Sequence, residues 1–155
     1  MAATSTNKQP LLVDHVLHVF ANLDTATNDG LDITGTNTAT LLIDSTTADG
    51  CVVEDVYTMS RSTIPYKVNL YISSARDYLR PNESFYVGTL QSATTKGDVL
   101  HWEEMPRVLA PIPRVGEDRF NRAFYLPKGK ALWAARDAVA NVTDGPLLGI
   151  QGGWY

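Results

Sequence analysis

Turn-forming residues interrupt this 155-residue chain so often that no long helix fits between them. Asn28-Asp29-Gly30, Thr46–Gly50, Thr94–Asp98 around Gly97, Pro127-Lys128-Gly129 and Asp144-Gly145-Pro146 each join Gly or Pro to polar neighbours. That is the chemistry of tight turns, because Gly reaches positive φ and Pro removes a backbone donor. The stretches left between the turns recur at roughly 10–15 residues, a spacing that suits short strands.

Their composition agrees. Thr makes up about a tenth of the chain and concentrates between Thr25 and Thr63; its branched Cβ crowds a helical turn and suits a pleated strand. Tyr66–Ser73 has the cleanest alternation, with Tyr66, Val68, Leu70 and Ile72 on one face and Lys67, Asn69, Tyr71 and Ser73 on the other. This predicts an antiparallel strand with a wet outer side. Strands are also predicted over Leu11–Ala21, Thr38–Ser45, Cys51–Ser60, Ser84–Ser92, Phe120–Leu126 and Leu147–Tyr155, and Val99–Met105 reads as a short strand or strand end. Lys130–Val142 is Ala-rich enough for a helix, but Ala131, Trp133 and Ala135 alternate, and a strand is preferred. Ala75–Glu83 is expected to hold a short helical turn ended by Pro81, and Asp144-Gly145-Pro146 a hairpin-like turn.

Short strands in this number, without a long helix, predict an all-β fold, a single-domain antiparallel β-sandwich of jelly-roll type. At this length one domain buries roughly two thirds of its unfolded surface. Residues 1–10 read as a flexible N-terminal arm and residues 11–155 as the sandwich.

Charge divides the chain unevenly. From Gln9 to Ser60 there is no Lys or Arg, while eight of the 17 acids fall there, and 12 of the 13 basic residues lie beyond Ser60. The net charge of −4 and a pI near 5.2 argue against a nucleic-acid partner, which rewards dense positive charge. The rear bases (Arg107, Arg114, Arg119, Arg122, Lys128, Lys130, Arg136) read as a solvated face. No apolar run approaches the roughly 20 residues of a membrane-spanning helix, and Met1–Gln9 lacks a hydrophobic signal core, so a soluble protein made in a reducing cytosol is expected. The single Cys51 excludes an internal disulfide and reads as a small buried apolar residue.

Candidate chemical sites are few. Asp24, Asn28, Asp29, Gly30 and Asp32 gather oxygen ligands of the kind calcium needs, but the spacing is not that of an EF-hand, and a polar turn is the simpler reading. His15 and His18 point to opposite faces of a strand and cannot share a metal. His101 and Glu103 would share a strand face beside Trp102, without a nucleophile or metal to complete a catalytic set. Asn82-Glu83-Ser84 and Asn141-Val142-Thr143 match the glycosylation sequon, a weak signal without a secretory leader. No cofactor-binding or metal-binding motif and no catalytic residue is assigned, and a non-enzymatic protein is expected. In a carbohydrate-binding alternative, Trp102, Trp133 and exposed Tyr residues would stack on sugar rings. Gly152-Gly153-Trp154-Tyr155 ends the chain on two large rings, which are expected to be tied down in the core or against a neighbour.

The segment Tyr66–Leu90 (YKVNLYISSARDYLRPNESFYVGTL), the closing Gly149–Tyr155 (GIQGGWY) and the Thr-rich front resemble small structural proteins of tailed-bacteriophage virions. Capsid decoration (cement) proteins are the nearest match in texture and layout. The resemblance implies a virion subunit, made in the host cytoplasm, that binds across capsomers as a homo-oligomer, often a trimer. Its partners would be the major capsid protein or other virion subunits, with no nucleic acid and no membrane; a neck, baseplate or fibre component is the alternative. Leu11, Leu12, Pro106, Pro111, Pro113, Trp154 and Tyr155 are the expected interface residues.

Overall fold

A computed structural model describes residues 15–24, 39–47, 49–77, 79–80, 82–102, 124–137 and 144–155. Among them are nine strands and no helix. They are β1 (His15–Asn22), β2 (Thr40–Asp44), β3 (Gly50–Met59), β4 (Lys67–Ser73), β5 (Ser84–Gln91), β6 (Val99–His101), β7 (Phe124–Pro127), β8 (Ala131–Arg136) and β9 (Leu147–Trp154). One antiparallel sheet runs β1-β9-β3-β6, with β7 also on β3; the other runs β2-β8-β4-β5.

Strands β6 and β7 divide one edge of β3: β6 pairs with Tyr57–Met59 and β7 with Gly50–Val53. Each sheet therefore has four strand positions. The pairs β1–β9, β2–β8, β3–β6/β7 and β4–β5 nest inside one another, and successive pairs alternate between the sheets. This is a long hairpin wrapped into a sandwich, the jelly roll that the turn spacing predicted.

The core lies between the sheets. Leu17, Val53, Val56, Phe124, Leu126, Leu148 and Ile150 of the first sheet meet Val68, Leu70, Val87, Leu90, Leu132 and Ala134 of the second. Cys51 is fully buried, as expected, and desolvation pushes its thiol up to about 12.

Several expectations are corrected. The outer side of β4 is not wet: Asn69, Tyr71 and Ser73 are buried along with Val68 and Leu70. Residues beyond β4 fold back over this sheet, and Leu79 joins Tyr71, Trp133, Ala131 and Ala135 in a second, smaller core. Alternation reports a half-buried strand only when a single face is covered. The helical turn over Ala75–Glu83 is absent from the described residues there. Ala75 N–H donates to Ser73 Oγ and Arg80 N–H to Ser84 Oγ, side-chain bonds that compete with helix formation. Asp144-Gly145-Pro146 does not close a hairpin, since β8 and β9 belong to different sheets. Leu23 N–H to Pro146 O (3.4 Å) and Gly145 N–H to Asp24 Oδ1 (2.7 Å) hold that crossover against the end of β1.

Arg136, expected on a solvated face, is buried at the end of β8. Its guanidinium donates to Leu23 O (2.9 Å), Asp24 O (2.9 Å) and Asp137 O (3.0 Å) and lies over the Tyr66 ring, 5.5 Å from its centroid. Desolvation of a buried charge is offset by such carbonyls, so Arg136 clasps the two sheets together at one end.

Candidate docking surface

The outer face of the β1-β9-β3-β6 sheet carries the two most exposed of the large apolar side chains among the described residues. Val16 is 80% and Phe20 66% exposed. Along β1 alternate residues turn outward, so Val16, His18 and Phe20 share this face while Leu17 and Ala21 enter the core. Register then builds a row across four strands. Phe20 lies opposite Gly149, Gly149 opposite Tyr57, and Tyr57 opposite His101.

Gly149 is what lets the row close up. A Cβ built there would fall 2.2 Å from Tyr57 Cζ, so the phenol ring rests directly on the β9 backbone. Crossing β9 in this way, Tyr57 brings its hydroxyl to 3.2 Å from His18 Nε2. His18 and Phe20 have ring centroids 4.4 Å apart, Phe20 meets Tyr57 edge-on at 6.5 Å, and Tyr57 lies 5.5 Å from His101. The edge-on Phe20–Tyr57 pair lies at a favourable aromatic separation, which contributes about 0.5–1.5 kcal/mol beyond burial alone. At the far end Asp55 Oδ2 holds His101 Nδ1 at 2.7 Å, fixing the imidazole and turning its Nε2 away from the carboxylate. Partial burial, followed by the nearby Asp55 charge, pushes the Tyr57 phenol up, so Tyr57 stays neutral and can donate.

Chemically the row offers large rings with polar rims, held in place by neighbours. A carboxylate-oriented imidazole is also the supporting half of a hydrolytic triad. Among the described residues Asp55 is the hydrogen-bond partner of His101, and the thiol of Cys51 is sealed in the core. Glu103, the acid expected to share a face with His101, lies outside the described residues.

Asp24 is committed to the protein. Burial would raise its carboxyl, but hydrogen bonds from Asn22, Arg61 and Gly145 outweigh it and hold it below the usual carboxylate range. Arg61 Nη1 lies 3.1 Å from Asp24 Oδ2, so Asp24 serves an ion pair rather than an open cation loop. Asn28, Asp29, Gly30 and Asp32 lie outside the described residues, among which no three His, Cys, Asp or Glu side chains gather as a metal would require. His15 lies opposite Trp154 and His18 opposite Gln151, on opposite faces as expected. Trp102 and Trp133 are buried, and the Trp133 indole donates to Ala75 O (3.2 Å), so neither ring is a sugar platform.

Of the expected interface residues, Leu11, Leu12, Pro106, Pro111 and Pro113 lie outside the described residues. Trp154 is partly buried and packs against the core. Tyr155 donates its N–H to Gly50 O (3.2 Å), and its ring lies tilted against Tyr125 with centroids 5.8 Å apart. The chain end is thus tied to its own β3 and β7.

Nothing in the local sequence joins Phe20, Tyr57 and Gly149 into one site. The period-2 pattern Val16-His18-Phe20 was visible, but three successive strand registers are needed to bring Tyr57 beside it. Comparison with protein-family models, with curated proteins and with solved structures finds no match to this chain.

Proposed function

We propose that this chain is a non-enzymatic structural subunit that docks onto a larger assembly through the ring row of its outer sheet, as a capsid decoration protein of a tailed-phage particle. One observation carries the reading: Phe20, two-thirds exposed, stands among rings that Gly149 and Asp55 already hold in position. Rings ordered before contact lose little rotamer freedom on binding, which is why aromatic anchors dominate subunit interfaces. The jelly roll supports the same reading, since capsid surfaces are often built on it, although the fold alone does not select a function.

The partner is the major capsid protein or another virion subunit, and the working location is the virion. Individually weak contacts suffice, because a subunit attached at one point meets its remaining contacts at high effective concentration. Placement at a neck, baseplate or fibre would use the same face.

Occupancy on shells tests the proposal. Shells assembled from the major capsid protein of the same genome are incubated with the chain and re-isolated on a density gradient. Phe20→Ser and Tyr57→Ala, both of which leave the core intact, are expected to lower occupancy at least tenfold. Wild-type chain that never co-migrates with shells, or variants that bind as well as wild type, would refute it.

A further inference from the structure

Three of the four sheet edges are blunted in ways that discourage pairing with another chain. Strand β2 is five residues long and bulged between Leu41 and Ile43. The β4–β5 pairing is bulged between Leu70 and Tyr71. The far edge of β3 is capped by two strands of three and four residues. Strand β1 is different. It runs for eight residues in unbroken register with β9 and contains no Pro, no Lys and no other charged residue, counting His as neutral. Among the described residues nothing pairs with its other side. A long, unbulged, uncharged edge is the feature that soluble proteins normally avoid.

We infer that the free edge of β1 pairs with the β1 edge of a second copy, antiparallel about a twofold axis at His18. Self-complementarity selects this occupant. The segment Val16-Leu17-His18-Val19-Phe20 is apolar on both sides of a central His. Centred on His18, Val16 meets Phe20 of the second copy and Leu17 meets Val19, each twice by symmetry. The pairing keeps outward residues beside outward residues, which a one-residue slip would not. It also brings no two fixed like charges together, since the strand has none.

Backbone geometry fits the same register. Leu23 N–H donates to Pro146 O, so the odd-numbered residues of β1 address β9. Alternation then turns the N–H and C=O groups of Val16, His18, Phe20 and Asn22 toward the free edge. In the twofold pair, Val16 with Phe20 and His18 with His18 are hydrogen-bonded pairs. Phe20 is two-thirds exposed and Val16 four-fifths, so apolar surface is covered along with the edge. The row of rings would then run unbroken through both copies, doubling the face offered to a partner.

An edge of this length, about 27 Å at 3.4 Å per residue, falls short of the roughly 1,200 Å² of a stable complex. The dimer is therefore weak and concentration-dependent. Sedimentation velocity at pH 8 and roughly 10–1,000 µM chain is expected to show monomer giving way to dimer, and Val16→Lys to weaken the association at least tenfold while preserving the far-UV spectrum. Register is read by oxidative crosslinking. The His18 Cα atoms would lie about 5.5 Å apart, within disulfide reach, so His18→Cys crosslinks readily. Val16→Cys and Phe20→Cys do not, each being separated from its own symmetry mate by more than 10 Å. Cys51 is buried and stays out of the reaction. A strict monomer, a trimer (the stoichiometry implied by the phage resemblance), association undiminished by Val16→Lys, or crosslinking at 16 or 20 in preference to 18 would each overturn the inference.

Discussion

Replacing Gly149 by Ala probes the ring row at its foundation. The new Cβ would stand 2.2 Å from Tyr57 Cζ and 2.3 Å from Cε2, whereas carbon atoms rest at about 3.5–4.0 Å. The ring must lift by roughly 1.3 Å or more. It then loses its contact with the strand and the hydrogen bond to His18, together worth about 1–2 kcal/mol. Against this, Ala in a strand gains about 0.5–1 kcal/mol over Gly. The net expectation lies between no change and a destabilisation of about 1.5 kcal/mol, a fall in Tm of up to roughly 6 °C for a chain of this size.

Gly152→Ala makes the contrast. There the Cβ would meet the Val52 carbonyl oxygen at 1.9 Å, backbone that can yield only if β3 parts from β9, and a loss of more than about 2–3 kcal/mol is expected. Urea unfolding followed by Trp fluorescence measures both. A double-mutant cycle decides the mechanism, because with Tyr57→Ala the Gly149→Ala cost should vanish or reverse while the Gly152→Ala cost stays. An unchanged Gly149→Ala penalty in the Tyr57→Ala background would refute the claim that Tyr57 rests on this glycine.

Asp24→Asn should cost about 1–2 kcal/mol at pH 7 by weakening the bonds to Arg61 and Gly145. The folded Asp24 carboxyl titrates below its unfolded value, so its contribution is present above the unfolded carboxylate range and lost as pH falls through the folded value; urea midpoints of wild type and variant should converge as the pH is lowered below about 4. Cys51, buried with its thiol pushed up to about 12, should resist a thiol reagent at pH 8 until the chain is unfolded, and prompt labelling of native protein would contradict its place in the core. Leu79→Ala should destabilise by about 2–4 kcal/mol in urea, although its segment carries no strand, because Leu79 seals the second core over Tyr71 and Trp133. A loss below 0.5 kcal/mol would show that this cover is dispensable.

Local chemistry explains which parts of the fold were legible in advance. The turns at Gly97 and Gly129 both hold positive φ, as their residue types demanded. Ala131–Arg136 is a strand despite its helix-permitting alanines, since Ala131, Trp133 and Ala135 serve one apolar face and Leu132 and Ala134 the other. The outer side of β4 was misread because alternation encodes polarity and not coverage; Tyr71 and Asn69 carry polar atoms yet lie beneath Leu79 or bonded to Thr89. The burial of Arg136 is hidden for a similar reason, as two of the three carbonyls that receive its guanidinium belong to residues 113 and 112 positions away.

Short-range stereochemistry, written residue by residue, determined that this chain makes strands, where it turns, and that the strands wrap into a two-layered β fold. Which strands became neighbours was decided only in three dimensions. Tyr57 is separated by dozens of residues from Phe20, His101 and Gly149 alike, and no periodicity within one segment encodes the register that stacks their rings. A docking face made of side chains from three strands, laid across the backbone of a fourth, exists only once loop closure and core burial have set those strands side by side.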